Sequence, residues 1–526
     1  MQAGSRRTTR WQHDRAAYDE AVARLPLLAG SRVHLLQLDD DAVQLGPPPP
    51  LGPLADIGGA VAEALRYPLS GPSLADRVTP GGRVTIVVEP PTLPVPGAAA
   101  DSRQDALAAV VDELARLGMP RERHTVLVAG GLERRAGRAE LERLLRPARA
   151  RDYRGQVIVH DCADPGLRVI GDAAGMPVAV NPALLDADLV VTVTAAETTD
   201  RGGAGALLAA CAADVIRLPP PASSLLQPSD SPDWELAGAV EAAVAGRTPV
   251  VGVSLVLDHP RLTGRFRGYP WSESGVRAAA RSPLRPLLNA LPGGLRRIAL
   301  QRLGRELRVV AVFAGPPSVA HAEALLRGVE LRGARVETPL DTLVVPLPWK
   351  GPHQPREPLN PITAAAFGLG FVLRLWRDAP PLTDGGTVVL LHDFSRTIGH
   401  GPQAPYRALF QRLRENRDRE HVAEAEREAA DDPRAVAAYR DGRAPHPLLP
   451  FADWASCGPM QARAGRVIVA GCRDAGAARA LGFVPGHNIA TALDMARGVA
   501  GGSHRVGVLM APPYVPLLAA PSSGDG

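Results

Sequence analysis

The sequence predicts an α/β fold: two α/β domains with mostly parallel sheets and an interdomain cleft. Three observations lead there. From residue 83 onward, short β-branched runs alternate with amphipathic stretches of helical period, the pattern of parallel strands joined by crossover helices. Around 283–294 a stretch rich in Pro, Leu and Gly interrupts the alternation, which then restarts. At 526 residues the chain also exceeds what one hydrophobic core usually serves. These divisions give an N-terminal arm with first α/β elements over 1–82, one α/β domain over 83–282 and a second over 283–526.

In the arm, Val33–Leu38 is a short apolar run. The consecutive prolines Pro47 to Pro50 exclude regular helix and central strand from the segment 45–54, which reads as a surface connection. In the first domain, strands are expected at Val84–Val88, Thr125–Ala129, Val157–Val159, Asp188–Thr194 and Val250–Leu257, with helices at Asp101–Leu117 and Arg138–Leu145. In the second, strands are expected at Leu307–Phe313, Thr342–Val345, Thr387–Leu391, Val467–Ala470 and Val506–Leu509. Its helices are expected at Ser318–Leu331, Ile362–Arg374 and Ile489–Arg497, with a charge-rich, solvated helix at Asn416–Ala429. Ligands of such sheets gather at the carboxyl ends of the strands.

Composition narrows the class of function. The apolar share of 45% and charged share of 22% belong to a globular chain. The 59 basic residues face 55 acidic ones and are interspersed with them, so no stripe for nucleic acid is expected. Only one basic residue, Lys350, is a lysine, which excludes chemistry that needs two. Cys162, Cys211, Cys457 and Cys472 form neither a CxxC pair nor a disulfide framework, which fits a reduced, cytoplasmic compartment. A polar N-terminus and the absence of any apolar run of about 18 residues point away from secretion and membrane spanning. Among the histidines, His353, His392 and His400 included, no HExxH or paired metal spacing occurs, and there is no Gly-x-Ser-x-Gly elbow. No metal site is assigned.

Two motifs stand out on chemical grounds. Gly202-Gly203-Ala204-Gly205 lies between a strand and a helix, where backbone amides can hold an anion. It matches neither GxGxxG nor the lysine-bearing P-loop, and flexible glycines before a helix are the plain alternative. His160-Asp161-Cys162 ends the 157–159 strand at a sheet's carboxyl edge. Adjacent side chains there point in opposite directions, so at most two share one ligand. A histidine that orders the loop by hydrogen bonding is the alternative.

The order of these motifs resembles the nickel-dependent lactate racemase family, over roughly residues 83–517. Pro90-Pro91-Thr92-Leu93-Pro94-Val95-Pro96 is similar to that family's Asp-x-Thr-Arg-Pro-Val-Pro turn, and Ala129-Gly130-Gly131-Leu132-Glu133-Arg134 to its Ala-Thr-Gly-x-His-Arg turn. His160-Asp161 resembles its His-Asp strand end, and the stretch from Gly175-Met176-Pro177-Val178 through Asn181–Val190 is the closest of all. Asn360 opens a helix as the family's Asn-Leu-Tyr-Gln helix does. The resemblance implies a lysine-tethered nickel pincer nucleotide that accepts hydride from the 2-carbon of lactate, histidines that move the hydroxyl proton, and an arginine that holds the carboxylate. That division is physically sensible: the cofactor carries the hydride chemistry, an imidazole suits proton transfer, and a guanidinium fork suits a carboxylate.

Several family groups are replaced. Pro90 stands for the turn's aspartate, Leu93 for its arginine and Glu133 for a histidine, while Arg134 is retained. Glu197-Thr198-Thr199 occupies the Glu-Pro-His site. The tether run aligns with Gly205 to Ala209, which holds no lysine, and Thr363 and Ala366 stand where a glutamine and a catalytic lysine would be. Lys350 lies in the preceding loop. The chain is therefore expected to be a divergent family member that binds a small polar or anionic, 2-hydroxy acid-like ligand, its cofactor unknown, with no nucleic-acid or membrane partner. Candidate ligand-binding residues are Thr92, Arg134, Asp161, Thr199, Asp200, Arg201 and Asn360, with Arg134 and Arg201 together recognising the anion. Glu133 and His160 are the candidate catalytic residues, Glu133 ionised beside Arg134. The alternative is an active isomerase on a 2-hydroxy acid or related substrate.

Overall fold

The computed structural model describes residues 24–37, 42–90, 101, 103–144, 153–173, 175–197, 201–303, 305–351, 357–395, 398–399, 401–498, 504–510 and 515–520. In chain order the strands begin with β1 (Arg24–Ala29), β2 (Arg32–Gln37), β3 (Val43–Leu45), β4 (Val84–Val88), β5 (His124–Val128), β6 (Gln156–Val159), β7 (Arg168–Ala173), β8 (Met176–Val180), β9 (Leu189–Ala195) and β10 (Val250–Leu257). There follow β11 (Arg261–Leu262), β12 (Arg305–Glu306), β13 (Val309–Gly315), β14 (Ala334–Val336), β15 (Leu340–Pro346), β16 (Trp376–Arg377), β17 (Leu382–Leu391), β18 (Arg466–Ala470), β19 (Val484–Gly486), β20 (Val506–Leu509) and β21 (Leu517–Ala519).

Two six-stranded sheets carry the fold, in the orders β13-β10-β9-β4-β5-β6 and β19-β18-β17-β15-β20-β3. The second is parallel throughout, and the first is parallel except for β13, which runs antiparallel to β10. Parallel strands covered on both faces read as continuous apolar runs, and the five residues of β4 and eight of β10 are all buried. Alternate side chains then divide between the two faces. Ile86 and Val88 pack with the helices Ile57–Arg66 and Gln104–Arg116, whereas Val87 packs with Leu207, Val240 and their neighbours. In the second sheet Leu343, Val388 and Leu390 face the helices Ala404–Glu415 and Leu449–Ser456, while Val344 and Val389 face the β1–β2 hairpin through Leu25 and Leu27.

Four placements differ from expectation. The strand expected at 307–313 in the second domain is β13, and it pairs on the edge of the first sheet; the alternation pattern reveals a strand but not which sheet receives it. The arm behaves likewise, since β3 pairs with β20 and the β1–β2 hairpin covers the second sheet. The stretch expected as a boundary folds as the helices Leu284–Ala290 and Gly293–Gln301, with Pro283 and Pro292 at the N-cap positions, where no amide hydrogen is lost from the helix. The helix expected over 362–374 is α-helical only over Pro361–Ala365, then π-helical over Ala366–Phe371. Gly368 and Gly370 bring that widened turn against Leu390 and Ser456, where a Cβ would collide.

Together β11 and β12 form a two-residue antiparallel neck that carries residues 263–304 away from the first sheet and back. The halves are also tied by polar contacts. The buried Tyr439 hydroxyl accepts from the Cys162 amide at 3.1 Å and donates to the Gly131 carbonyl at 3.2 Å. Arg374 donates through Nε to the Ala222 carbonyl at 2.7 Å, and Arg217 pairs with Glu426 at 2.6 Å. Replacing Tyr439 by Phe leaves a buried amide and carbonyl without that hydroxyl. Urea unfolding of Tyr439→Phe is expected to give a stability lower by about 1–3 kcal/mol; an unchanged midpoint would mean that the tie contributes nothing.

Candidate functional site

The strand order of the first sheet reverses between β4 and β9: the chain steps outward from β4 to β5 and β6, then returns through β9 to β10 on the other side. Crevices outside the carboxyl ends of strands at such a reversal are where open α/β sheets hold ligands. The turn after β5 closes over this point. Gly131 has φ 54°, the left-handed region, and its amide donates to the Ala209 carbonyl at 3.1 Å, while the Glu133 amide donates back to Gly130. Glu133 is thereby turned inward and only 3% exposed.

A cavity of about 200 Å³ lies where this turn meets the second half of the chain. From the first half it is lined by Leu132, Arg201, Leu208 and Ile216, and from the second by Leu359, Phe367, Phe371 and Leu449. Polar groups on its wall include Asp233, Thr363, Arg374 and Asp453. Arg201 donates from Nη1 to Oε1 of Glu133. Arg201 lines the cavity, and Glu133 does not.

The other expected site residues are placed as follows. Arg134 does not partner Glu133: it donates to Glu140 at 2.8 Å and to the Gly442 carbonyl at 3.2 Å, and it does not line the cavity. The expectation that Arg134 and Arg201 recognise one anion is thereby corrected, because a second carboxylate, which also caps the helix Arg138–Leu144 through the Gly137 amide, draws Arg134 away. His160 donates from Nε2 to the Cys211 carbonyl at 2.8 Å and accepts at Nδ1 from Asn181 at 3.2 Å. Both ring nitrogens are committed, and burial above all pushes its pKa down to about 4, so the ring is neutral and orders the loop. Asp161 receives Arg440 Nε at 3.0 Å and the Ala163 amide, again away from the cavity.

Asn360 caps its helix, its Oδ1 accepting the Ile362 and Thr363 amides at 2.9 and 3.1 Å in a capping box with Thr363. Its buried Nδ2 has no partner among the described residues. Thr92, Thr199 and Asp200 lie outside the described residues, as do His353 and His400. The Gly202–Gly205 segment is explained by packing. A Cβ on Gly202 or Gly203 would collide with His321 of the helix Pro317–Arg332, the Gly203 amide donates to Thr194 Oγ1, and the helix Gly205–Leu208 is a single turn.

One buried charge pair has no signature in the sequence. Glu197, just after β9, meets Arg332 at 2.9 Å, with both side chains under a tenth exposed. Their separation of 135 residues leaves no local signal. Burial pushes the Glu197 carboxyl up to about 7, against the pull of Arg332, and burial likewise pushes His259 down to about 3, with Arg332 adding to it.

Residues 30–205 match the lactate racemase N-terminal domain. Over that stretch the chain is lactate racemase-like. The solved apoprotein structure of lactate racemase from Thermoanaerobacterium thermosaccharolyticum has a similar fold, at TM-score 0.58 and 15% identity, over 95% of this chain and 100% of that one. A Thermotoga maritima protein of known structure aligns over 89% of this chain and 100% of its own at 14% identity, with a TM-score of 0.47 too low to carry weight. No curated protein matches the chain. Within and just beside that stretch, the turn after β5 and the segment after β9 meet at Glu133 and Arg201, a pairing other than the expected one of Arg134 with Arg201.

The raised pKa of Glu197 has a definite consequence for stability. The protonated form is favoured in the folded protein, so the stabilisation is full below about pH 4.5 and is lost as pH rises through 7. Relative to Glu197→Gln, the wild-type protein is expected to lose on the order of 3 kcal/mol across that window. Melting both proteins from pH 4.5 to 8 checks this, and a constant difference in Tm would refute it.

Proposed function

We propose that this lactate racemase-like protein binds a small ligand with an anionic head and an apolar body in the cavity between its two halves, and that it does so without the family's nickel pincer nucleotide. The observation that carries the reading is the placement of Arg201 on the cavity wall, held from behind by the buried carboxylate of Glu133. A guanidinium presents five N–H groups in a planar fork, and the bond from Nη1 to Glu133 fixes that fork on a residue that lines the cavity. Many of the side chains around it are aliphatic or aromatic, and a low local dielectric strengthens a guanidinium–carboxylate contact.

The residues at the corresponding positions do not fit the pincer nucleotide. The run Gly205-Ala206-Leu207-Leu208-Ala209 is apolar and buried and offers no amine for a tether. Lys350 instead stands 4.4 Å over the Trp349 ring in the loop after β15. No group of three or more His, Cys, Asp or Glu placed to hold a metal occurs among the described residues. Glu133 and His160 are also poorly disposed for proton transfer, one behind a guanidinium and the other saturated by protein partners. A ligand-binding role accounts for these features together, with Arg201 orienting the head group and Glu133 positioning Arg201.

The test is a calorimetric and thermal-shift screen of small 2-hydroxy and 2-oxo carboxylates bearing apolar tails. Arg201→Ala is expected to weaken the binding of any hit by about 1.5–3 kcal/mol, and Glu133→Gln by a smaller amount, whereas Arg134→Ala leaves it unchanged. Binding indifferent to Arg201 would overturn the assignment. Interconversion of 2-hydroxy acid enantiomers by the purified protein would replace it with the isomerase reading.

A further inference from the structure

Outside the cavity lining, the chain from Ser274 to residue 305 contains seven arginines and no acidic residue. It also holds five exposed aliphatic side chains: Leu284, Leu287, Leu291, Leu295 and Ile298 are 37–65% accessible. They fall on or beside the helices Leu284–Ala290 and Gly293–Gln301, at spacings of three and four residues that collect on one side of each helix. The opposite sides are anchored. Asn289 exchanges hydrogen bonds of 2.8 and 3.1 Å with Val33 of the β1–β2 hairpin, and Arg296 donates to Ser31 Oγ at 2.9 Å. The aliphatic side chains are therefore held outward by a scaffold. Exposed apolar side chains gathered in this way mark a contact surface.

Charge identifies the kind of partner. Arg281 and Arg302 are exposed close in sequence to the aliphatic rows, Arg297 is exposed with its guanidinium 4.9 Å over the Trp349 ring, and Arg296 is crowded by Arg32, Arg473 and Arg297 with Asp393 as a more weakly felt acid. We propose, in place of the expectation of no membrane partner, that these two helices dock on an anionic lipid bilayer surface, the leucines and isoleucine entering the acyl boundary while the arginines meet the headgroups. Basic amphipathic helices bind such interfaces through apolar burial and electrostatic attraction together. No helix among the described residues is long and apolar enough to cross a membrane, so the docking is peripheral.

Three other occupants fit less well. A second copy, related by a twofold axis, would set the arginine-rich segment against its own like charge. Residues 1–23 carry four arginines against three acids and are not complementary. An acidic protein partner would be expected to meet aromatic anchors, and no Phe, Tyr or Trp occurs between 274 and 305.

The full chain should co-sediment with vesicles containing about 30% phosphatidylserine and not with phosphatidylcholine vesicles, and the bound fraction should fall at least about fivefold between about 0.05 and 0.5 M salt. The double variant Leu287→Glu/Ile298→Glu, with its melting temperature measured to establish that it is folded, is expected to lose about tenfold in bound fraction, and Arg281→Glu/Arg302→Glu to lose most of the salt-sensitive part. Absence of binding to anionic vesicles would overturn the proposal. So would a wild-type dimer in light scattering that the aliphatic double variant converts to monomer, because the surface would then be a contact between copies.

Discussion

The turn Gly130–Arg135 has to be held from both halves of the chain at once, and the geometry of the cavity depends on it. From its own sheet, Gly131 reaches Ala209 and Arg135 reaches the Val159 carbonyl at 3.1 Å. From the other half, the Tyr439 hydroxyl takes the Gly131 carbonyl, the His446 amide donates to Leu132, and Arg135 donates to the Arg440 carbonyl. A turn so constrained cannot swing Glu133 into solvent. The carboxylate is buried because the backbone on either side of it is fixed, and its burial in turn requires a cation, which Arg201 supplies.

Much of this is legible in the amino-acid sequence. The buried strands β4, β10 and β20 occupy the residues their β-branched runs mark, because a strand covered on both faces needs an uninterrupted apolar run and little else does. Motif order leads to the turn containing Glu133 and to the segment containing Arg201. What escapes is the assignment of partners across long separations. That β13 returns to the first sheet, that Glu197 meets Arg332, and that Glu133 meets Arg201 in place of its neighbour Arg134 are facts of tertiary geometry. The neighbour in sequence is the wrong partner because residues 133 and 134 point to opposite sides of the turn, Arg134 toward Glu140 and the loop at Gly442.

Burial acts on the ionisable groups here in opposite directions according to their charge. His160, His259 and His446 are pushed down to between about 3 and 4, while Glu197 and Cys162 are pushed up, the thiol to about 12. One cause explains both, since removal from water disfavours whichever form is charged. The histidines consequently stay neutral at ordinary pH, and His160 is occupied at both nitrogens. Histidine content alone is thus no index of proton-transfer capacity in this chain; access is the deciding quantity, and the histidine that the sequence singles out lacks it.

A carboxylate at 133 sets different demands on its surroundings from those an imidazole would set. An imidazole at a cavity wall can accept and release a proton because it is neutral near its pKa and needs no counter-charge to be buried. A buried carboxylate does need one, and the cation it recruits, Arg201, then occupies the wall itself. At position 133 the carboxylate fixes a guanidinium on the cavity lining, a demand that a neutral imidazole would not make. A histidine placed at 133 would face Arg201 across the same contact, and the guanidinium would repel a protonated imidazole and depress its pKa.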